Sequence, residues 1–198
     1  MKKYVVAKYD RRVTDAELEL AVEMGRGADG ARLIVALALK TAWLCVRRVE
    51  VRDLQRHHIK DAGIEWTGAK RKRGSAERTV TIDWSPELLA TLDEALAIER
   101  FKDAAGAWFV FGNMHGQKYT KDGWKKMLAN LMNLCVAETG KRGIAFATFS
   151  LQDCRPKGVS DKLERGDADT QDATLHSNSR VIETVYDRRR TRTAKPVD

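Results

Sequence analysis

The sequence is poor in cysteine. Cys45, Cys135 and Cys154 are all it has, and they are far apart with no CxxC pair. This excludes a disulfide framework and a zinc ribbon, and it points to reduced, mostly buried thiols in a cytosolic protein. A Gly-rich phosphate loop is missing, and so is a cluster of carboxylates, so no motif asks for a nucleotide or a metal. The adjacent His57 and His58 diverge in side-chain direction and have no further ligand nearby, which excludes them as a metal pair. Long apolar runs are absent too. The longest, residues 33–46, is interrupted by Lys40 and falls short of the roughly 20 residues a bilayer span needs. The first twelve residues, MKKYVVAKYDRR, lack the apolar stretch of a secretory signal. Internal repeats and low-complexity tracts are absent. The expectation is a soluble cytoplasmic protein with no membrane partner and no cofactor.

What is present is charge and enough apolar residues for a core. The 198 residues suit one domain, or one with a short appendage. Hydrophobic residues make up 43% and charged residues 32%, a balance that folds rather than stays disordered. The net charge is +8 and the pI about 9.5. A domain with that bias meets a polyanion, with nucleic acid the first candidate.

Residues 1–13 are basic and aperiodic and read as an arm or linker. Thr14 and Glu17 form a capping box that starts a helix to about Met24. Residues 25–30 read as a loop. Residues 31–44 are apolar almost all round, which marks a helix at the centre of a helical domain. Arg47 and Arg48 follow at once, and Glu50, Val51 and Leu54 begin another helical period. Arg48, Arg52 and Arg56 read as a solvated cluster, whereas an arginine directly after a central helix can point into a cleft. Residues 64–66 and 79–82 alternate and are β-branched, so they read as two strands. The hairpin tip between them carries Lys70, Arg71, Lys72 and Arg73, four cations in a row that suit phosphate contacts. Ser85 and Pro86 start a helix. Thr120 caps one running to about Thr139. Ser150, with Asp153 in a capping box, caps the next, and residues 167–175 form a short helix. The fold class is mostly α with a small antiparallel β-sheet.

Near the C-terminus, His176 precedes a polar linker, then Tyr186, then three arginines. A tyrosine hydroxyl, with its ordinary pKa of about 10, is a poor nucleophile near neutrality. Cations that stabilise both its anion and the group it attacks make it useful. The competing reading is an amphipathic tail that packs Val181, Val185 and Tyr186 on the body.

The order of these pieces resembles the catalytic domain of the tyrosine recombinases, the phage integrase family. The family's first arginine box follows a buried helix, and here Arg47 to Glu50 matches it, with the Thr-Gly and Ser replaced. Either Lys70 or Lys72 matches the family's hairpin lysine. Gln152-Asp-Cys-Arg155 matches its H-x-x-R box with the histidine lost, Thr174-Leu-His176 its L-G-H, and Tyr186, ten positions on (186 − 176), its nucleophile. The resemblance implies a domain over residues 14–198 with the family's N-terminal DNA-clamping domain absent. It implies DNA strand cleavage and rejoining through a 3′-phosphotyrosyl intermediate, with duplex DNA as partner, self-association on DNA, and a phage or prophage setting. Arg47 and Arg155 would hold the phosphate through planar, permanently charged donors. His176 would donate to it, and the hairpin lysine would protonate the leaving 5′-oxygen.

Two departures fall in one box. Gln152 hydrogen-bonds but transfers no proton near neutrality. Pro156 lacks an N–H, crowds the Gln152 carbonyl and biases Arg155 away from the α region, so either the helix starts elsewhere or Arg155 is displaced. The alternative expectation is therefore a catalytically impaired integrase-like DNA-binding protein or recombination regulator. A basic RNA-binding or ribosome-associated protein is a third.

Overall fold

A computed structural model describes residues 11–45, 50–67, 79–101, 108–174, 180 and 182–189. The described chain is mostly helical with one small antiparallel sheet. Helix α1 (Asp15–Arg26) opens on Thr14 with both capping-box bonds made. Helix α2 (Gly30–Leu44) is capped by Asp29, whose carboxylate accepts the Arg32 N–H. It buries Ile34, Val35, Ala36, Leu37, Ala38, Leu39 and Ala42, and α1, α3 (Pro86–Ala97), α4 (Lys121–Arg142) and α5 (Leu151–Arg165) pack round it. A sequence apolar on every side thus becomes the hub of the domain. The α1–α2 crossing is close: a Cβ on Gly25 would sit 2.7 Å from the Ala36 Cβ. The helix α1 runs past Met24 because its carbonyls stay satisfied to Gly27, whose N–H bonds the Glu23 carbonyl.

The sheet has the order β1 (Ile59–Lys60), β2 (Gly63–Thr67), β3 (Thr79–Asp83), antiparallel throughout. Ile59 faces Ile64, Ile64 faces Ile82, and Trp66 faces Val80. The alternation puts Ile64 and Trp66 into the core. Gly63 turns the chain between β1 and β2 with φ near 153°, where a Cβ would stand 2.1 Å from the Ile82 carbonyl oxygen, so only glycine fits. The hairpin tip itself lies outside the described residues.

Residues 50–58 depart from the helical expectation. They form two 3₁₀ turns, Glu50–Asp53 and Arg56–His58. Val51 and Leu54 are buried, but the backbone of this stretch is committed elsewhere. The Val110 N–H bonds the Leu54 carbonyl and the Arg56 N–H bonds the Trp108 carbonyl, both at 2.9 Å. Groups so engaged cannot continue an α-helix. Arg52 is not solvated as expected: it lies 5.3 Å over the Trp124 ring and donates to the Tyr119 carbonyl at 3.2 Å. His58 accepts the Gln55 N–H on Nδ1 at 3.0 Å, and burial pushes it below the usual histidine value.

The expected helix over residues 167–175 shrinks to α6 (Thr170–Thr174). Gly166 ends α5 in the left-handed conformation, the Asp167 N–H returns to the Lys162 carbonyl, and the Asp167 carbonyl accepts the Thr170 hydroxyl. The three cysteines are buried and unbridged, and burial pushes the Cys135 thiol up to about 11. No helix among the described residues is long and apolar enough to cross a membrane.

Candidate active site

Helix α5 builds the site. Ser150 and Asp153 close the expected capping box, with the Ser150 N–H on the Asp153 carboxylate at 2.8 Å. The helix then runs unbroken through Pro156 to Arg165. Pro156 lies beyond the first turn, so its missing N–H leaves the Gln152 carbonyl without its intrahelical donor. The helix starts where expected all the same, so Pro156 neither shifts that start nor ends the helix.

Arg155 points at Tyr186. Its guanidinium carbon stands 4.8 Å from the centre of the tyrosine ring, and Nη2 donates to the Thr174 carbonyl at 3.1 Å. A guanidinium over an aromatic face is attracted by roughly 0.5–2 kcal/mol, depending on desolvation. One arginine thus joins α5, the end of α6 and the tyrosine. Gln152, three residues earlier, is exposed, and its N–H bonds the Ser150 hydroxyl at 3.2 Å.

Tyr186 ends a single π turn, Ile182–Tyr186, closed by the Asp187 N–H on the Ile182 carbonyl at 2.9 Å. Ile182 is the anchor, buried against Val159 and Ala173, with Tyr186 and Leu163 packed beside them. Val185, expected to pack, is instead 47% exposed, because the wide turn carries it to the outer side. The Asp187 carboxylate is buried and holds Arg189 through Nε and Nη2, both at 2.9 Å. That hydrogen bond, outweighing the cost of burial, pushes Arg189 above its ordinary value. Arg189 in turn donates to the Leu163 carbonyl at 3.0 Å. Ser160, fully buried, bonds backbone atoms on both sides of Asp187. Sequence reading missed Ser160, Ile182 and the Asp187–Arg189 pair. The short Asp-x-Arg spacing was the one available signal.

The opposite side of α5 is held by charge. Lys157 is 2% exposed and pairs with Asp161 at 2.8 Å and with Asp15. Its ammonium lies 4.9 Å from the centre of the Trp43 ring. Asp161 also accepts Trp43 Nε1 and Arg12 Nη2, both at 2.7 Å. The structure therefore brings together Arg155 and Tyr186, with Gln152 on the first turn of the same helix. Arg47, Lys70, Arg71, Lys72, Arg73 and His176 lie outside the described residues, as do Val181 and the first ten residues of the arm expected over residues 1–13.

The domain has the fold of tyrosine recombinase catalytic domains. Among solved structures it is similar to XerA recombinase (TM-score 0.60, 16% identity), over 89% of this chain and 60% of that one. It is similar to a lambda integrase tetramer bound to a Holliday junction (TM-score 0.65, 13% identity), over 99% of this chain and 54% of that one. A lambda integrase dimer bound to a COC′ core site gives TM-score 0.63 at 15% identity, over 97% of this chain and 65% of that one. The likeness is one of fold, and the chain spans less than two thirds of each of these structures. No family model matches the sequence, and no curated protein matches it.

Proposed function

We propose that this domain cleaves and rejoins DNA strands, with Tyr186 as nucleophile. The observation that carries the reading is the Arg155 guanidinium held over the Tyr186 ring, in a fold shared with recombinases. Tyr186 Oη bonds to phosphorus as the bond from phosphorus to the 5′-oxygen breaks. The phenol gives its proton to solvent, and Lys70 or Lys72 gives one to the departing oxygen. The 3′-phosphotyrosyl bond keeps the energy for rejoining. Arg155 and Arg47 neutralise the charge that gathers on the non-bridging oxygens, where preorganised donors count most. His176 donates to the same phosphate. The partner is duplex DNA, gripped mainly through phosphates by the hairpin cations, and copies of the chain assemble on it.

The test is a nicked suicide substrate that traps the covalent adduct, read on a denaturing gel beside a binding titration. Affinity should fall steeply with salt, since cations that neutralise phosphates release counterions. A flat salt response removes the DNA reading. A salt-sensitive shift without adduct leaves the second reading, a DNA-binding protein or recombination regulator.

The exposed Gln152 favours that second reading enough to give it its own experiment. A positioned general acid or base contributes about 10² to 10⁴ in rate, and glutamine keeps only a hydrogen bond. Gln152→His should raise single-turnover adduct formation modestly. Adding Pro156→Ala should raise it further, because residue 156, next to Arg155, then supplies the N–H donor that the Gln152 carbonyl lacks. The two changes share one helix and should not add independently. If neither variant exceeds the starting protein while that protein forms adduct, this box does not limit the rate.

A further inference from the structure

We propose that Ser160 is a positioning residue for the nucleophile, a hydroxyl latch that fastens the Tyr186 segment to α5 of its own chain; its effect on cleavage rests on the function proposed above. Ser160 Oγ donates to the Tyr186 carbonyl at 3.3 Å and accepts the Arg188 N–H at 2.8 Å. A single buried side chain thus brackets Asp187 and fixes the backbone on which the Tyr186 ring is mounted. The same helix supplies the phosphate-facing candidate Arg155 five residues earlier, so nucleophile and arginine share one rigid support.

The residue type fits this role. Serine is a weak helix former, because its hydroxyl competes for backbone groups. Here the hydroxyl bonds backbone that is not its own helix. Without it the Arg188 N–H, bonded to Ser160 in a part-buried setting, loses its acceptor, and such a loss costs more than the bond gained. The other anchors, Ile182 on Val159 and Arg189 on the Leu163 carbonyl, hold the segment before and after the tyrosine. Ser160 alone among the described side chains bonds the Tyr186 backbone carbonyl directly. In-line attack is sensitive to this kind of support, since a misplacement of about 1 Å can cost about 10²-fold in rate.

The experiment compares Ser160→Thr with Ser160→Val. The two side chains have nearly the same shape, so any crowding falls on both and only the hydroxyl separates them. Two quantities are read: hydrogen exchange of the Arg188 amide in DNA-free protein, and single-turnover adduct formation with DNA affinity measured in parallel. Ser160→Val should lose protection at the Arg188 amide and form adduct about 10- to 100-fold more slowly, the range expected for a displaced reacting group. Its DNA affinity should match that of Ser160→Thr, which should keep both protection and rate. Equal protection in the two variants overturns the latch. Equal adduct rates with unequal protection overturn its role in positioning. If the unsubstituted protein forms no adduct, the cleavage reading and the positioning role both fall. The exchange data then decide separately whether the latch exists.

Discussion

Tyr186→Phe is expected to abolish covalent attachment to DNA while leaving the salt-sensitive affinity for duplex unchanged. The substitution removes one oxygen and keeps the ring, so the contact with the Arg155 guanidinium at 4.8 Å survives. Only the bond-forming atom is gone, and a lost nucleophile is not replaced by positioning. Arg155→Ala is the companion test. On the proposed mechanism it removes a preorganised cation from the developing charge, a loss worth about 10² to 10³ in rate for a single donor. It also frees the Thr174 carbonyl that Arg155 Nη2 bonds at 3.1 Å, and α6 ends at that residue, just before His176. The measured loss should therefore exceed that of a pure charge deletion. Arg155→Lys should recover little, because an ammonium cannot reproduce a planar fork that stacks on a ring and donates sideways at once. Adduct persisting in Tyr186→Phe would assign the nucleophile to another residue. Full activity in Arg155→Ala would remove the contact from the mechanism.

Much of the fold was legible because its signals are local. Thr14 with Glu17, Ser85 with Pro86, Thr120, and Ser150 with Asp153 each announce a helix start within four residues, and each starts a helix where expected. The β-branched alternation before and after the basic tip gave the hairpin strands. The all-round apolar run over residues 31–44 gave the central helix. Two of the misreadings share one cause, a partner distant in sequence. The stretch over residues 50–58 has a helical pattern, but residues 108–110 claim its backbone. Arg52 looks solvated until Trp124 closes over it. Of the proposed site, Arg155 and Tyr186 were singled out by the resemblance to the recombinase boxes, and the structure places these two side chains against each other. Ser160 was not readable, since a serine in a polar helix carries no local mark of burial. The same holds for Lys157, which sits in a helix rich in charge and reads as surface. Its carboxylate partner Asp15 lies 142 residues away.

Asp161→Leu is expected to destabilise the domain by about 3–5 kcal/mol, the usual cost of stripping one partner from a buried ion pair. The substitution leaves Lys157 buried with Asp15, whose side chain is 75% exposed, as its remaining carboxylate among the described contacts. It also takes the acceptor from Trp43 Nε1, now bonded at 2.7 Å, and from Arg12, which keeps Glu164. Asp161→Asn should cost less, because an amide oxygen can still accept from Trp43 or Lys157. The double variant Lys157→Met with Asp161→Leu should recover most of the loss, since replacing a whole buried pair by apolar groups is often neutral. Acid separates this charge effect from simple packing. Burial alone would raise the Asp161 carboxyl, but hydrogen bonds from Lys157, Arg12 and Trp43 and the Lys157 charge outweigh it and hold the carboxyl below its ordinary value. A folded value below the unfolded one means stability that is fully present above the ordinary aspartate pKa of about 3.9. It drains away as the pH falls towards the lower folded value. Urea unfolding at pH 7 and at steps below pH 4 should therefore show the gap between Asp161→Leu and the starting protein narrowing in acid. A cost under about 1 kcal/mol at pH 7, as exposed pairs give, would mean that solvent reaches the pair. A gap that stays constant into acid would assign the loss to packing and remove the carboxylate as the clamp between α5 and α2.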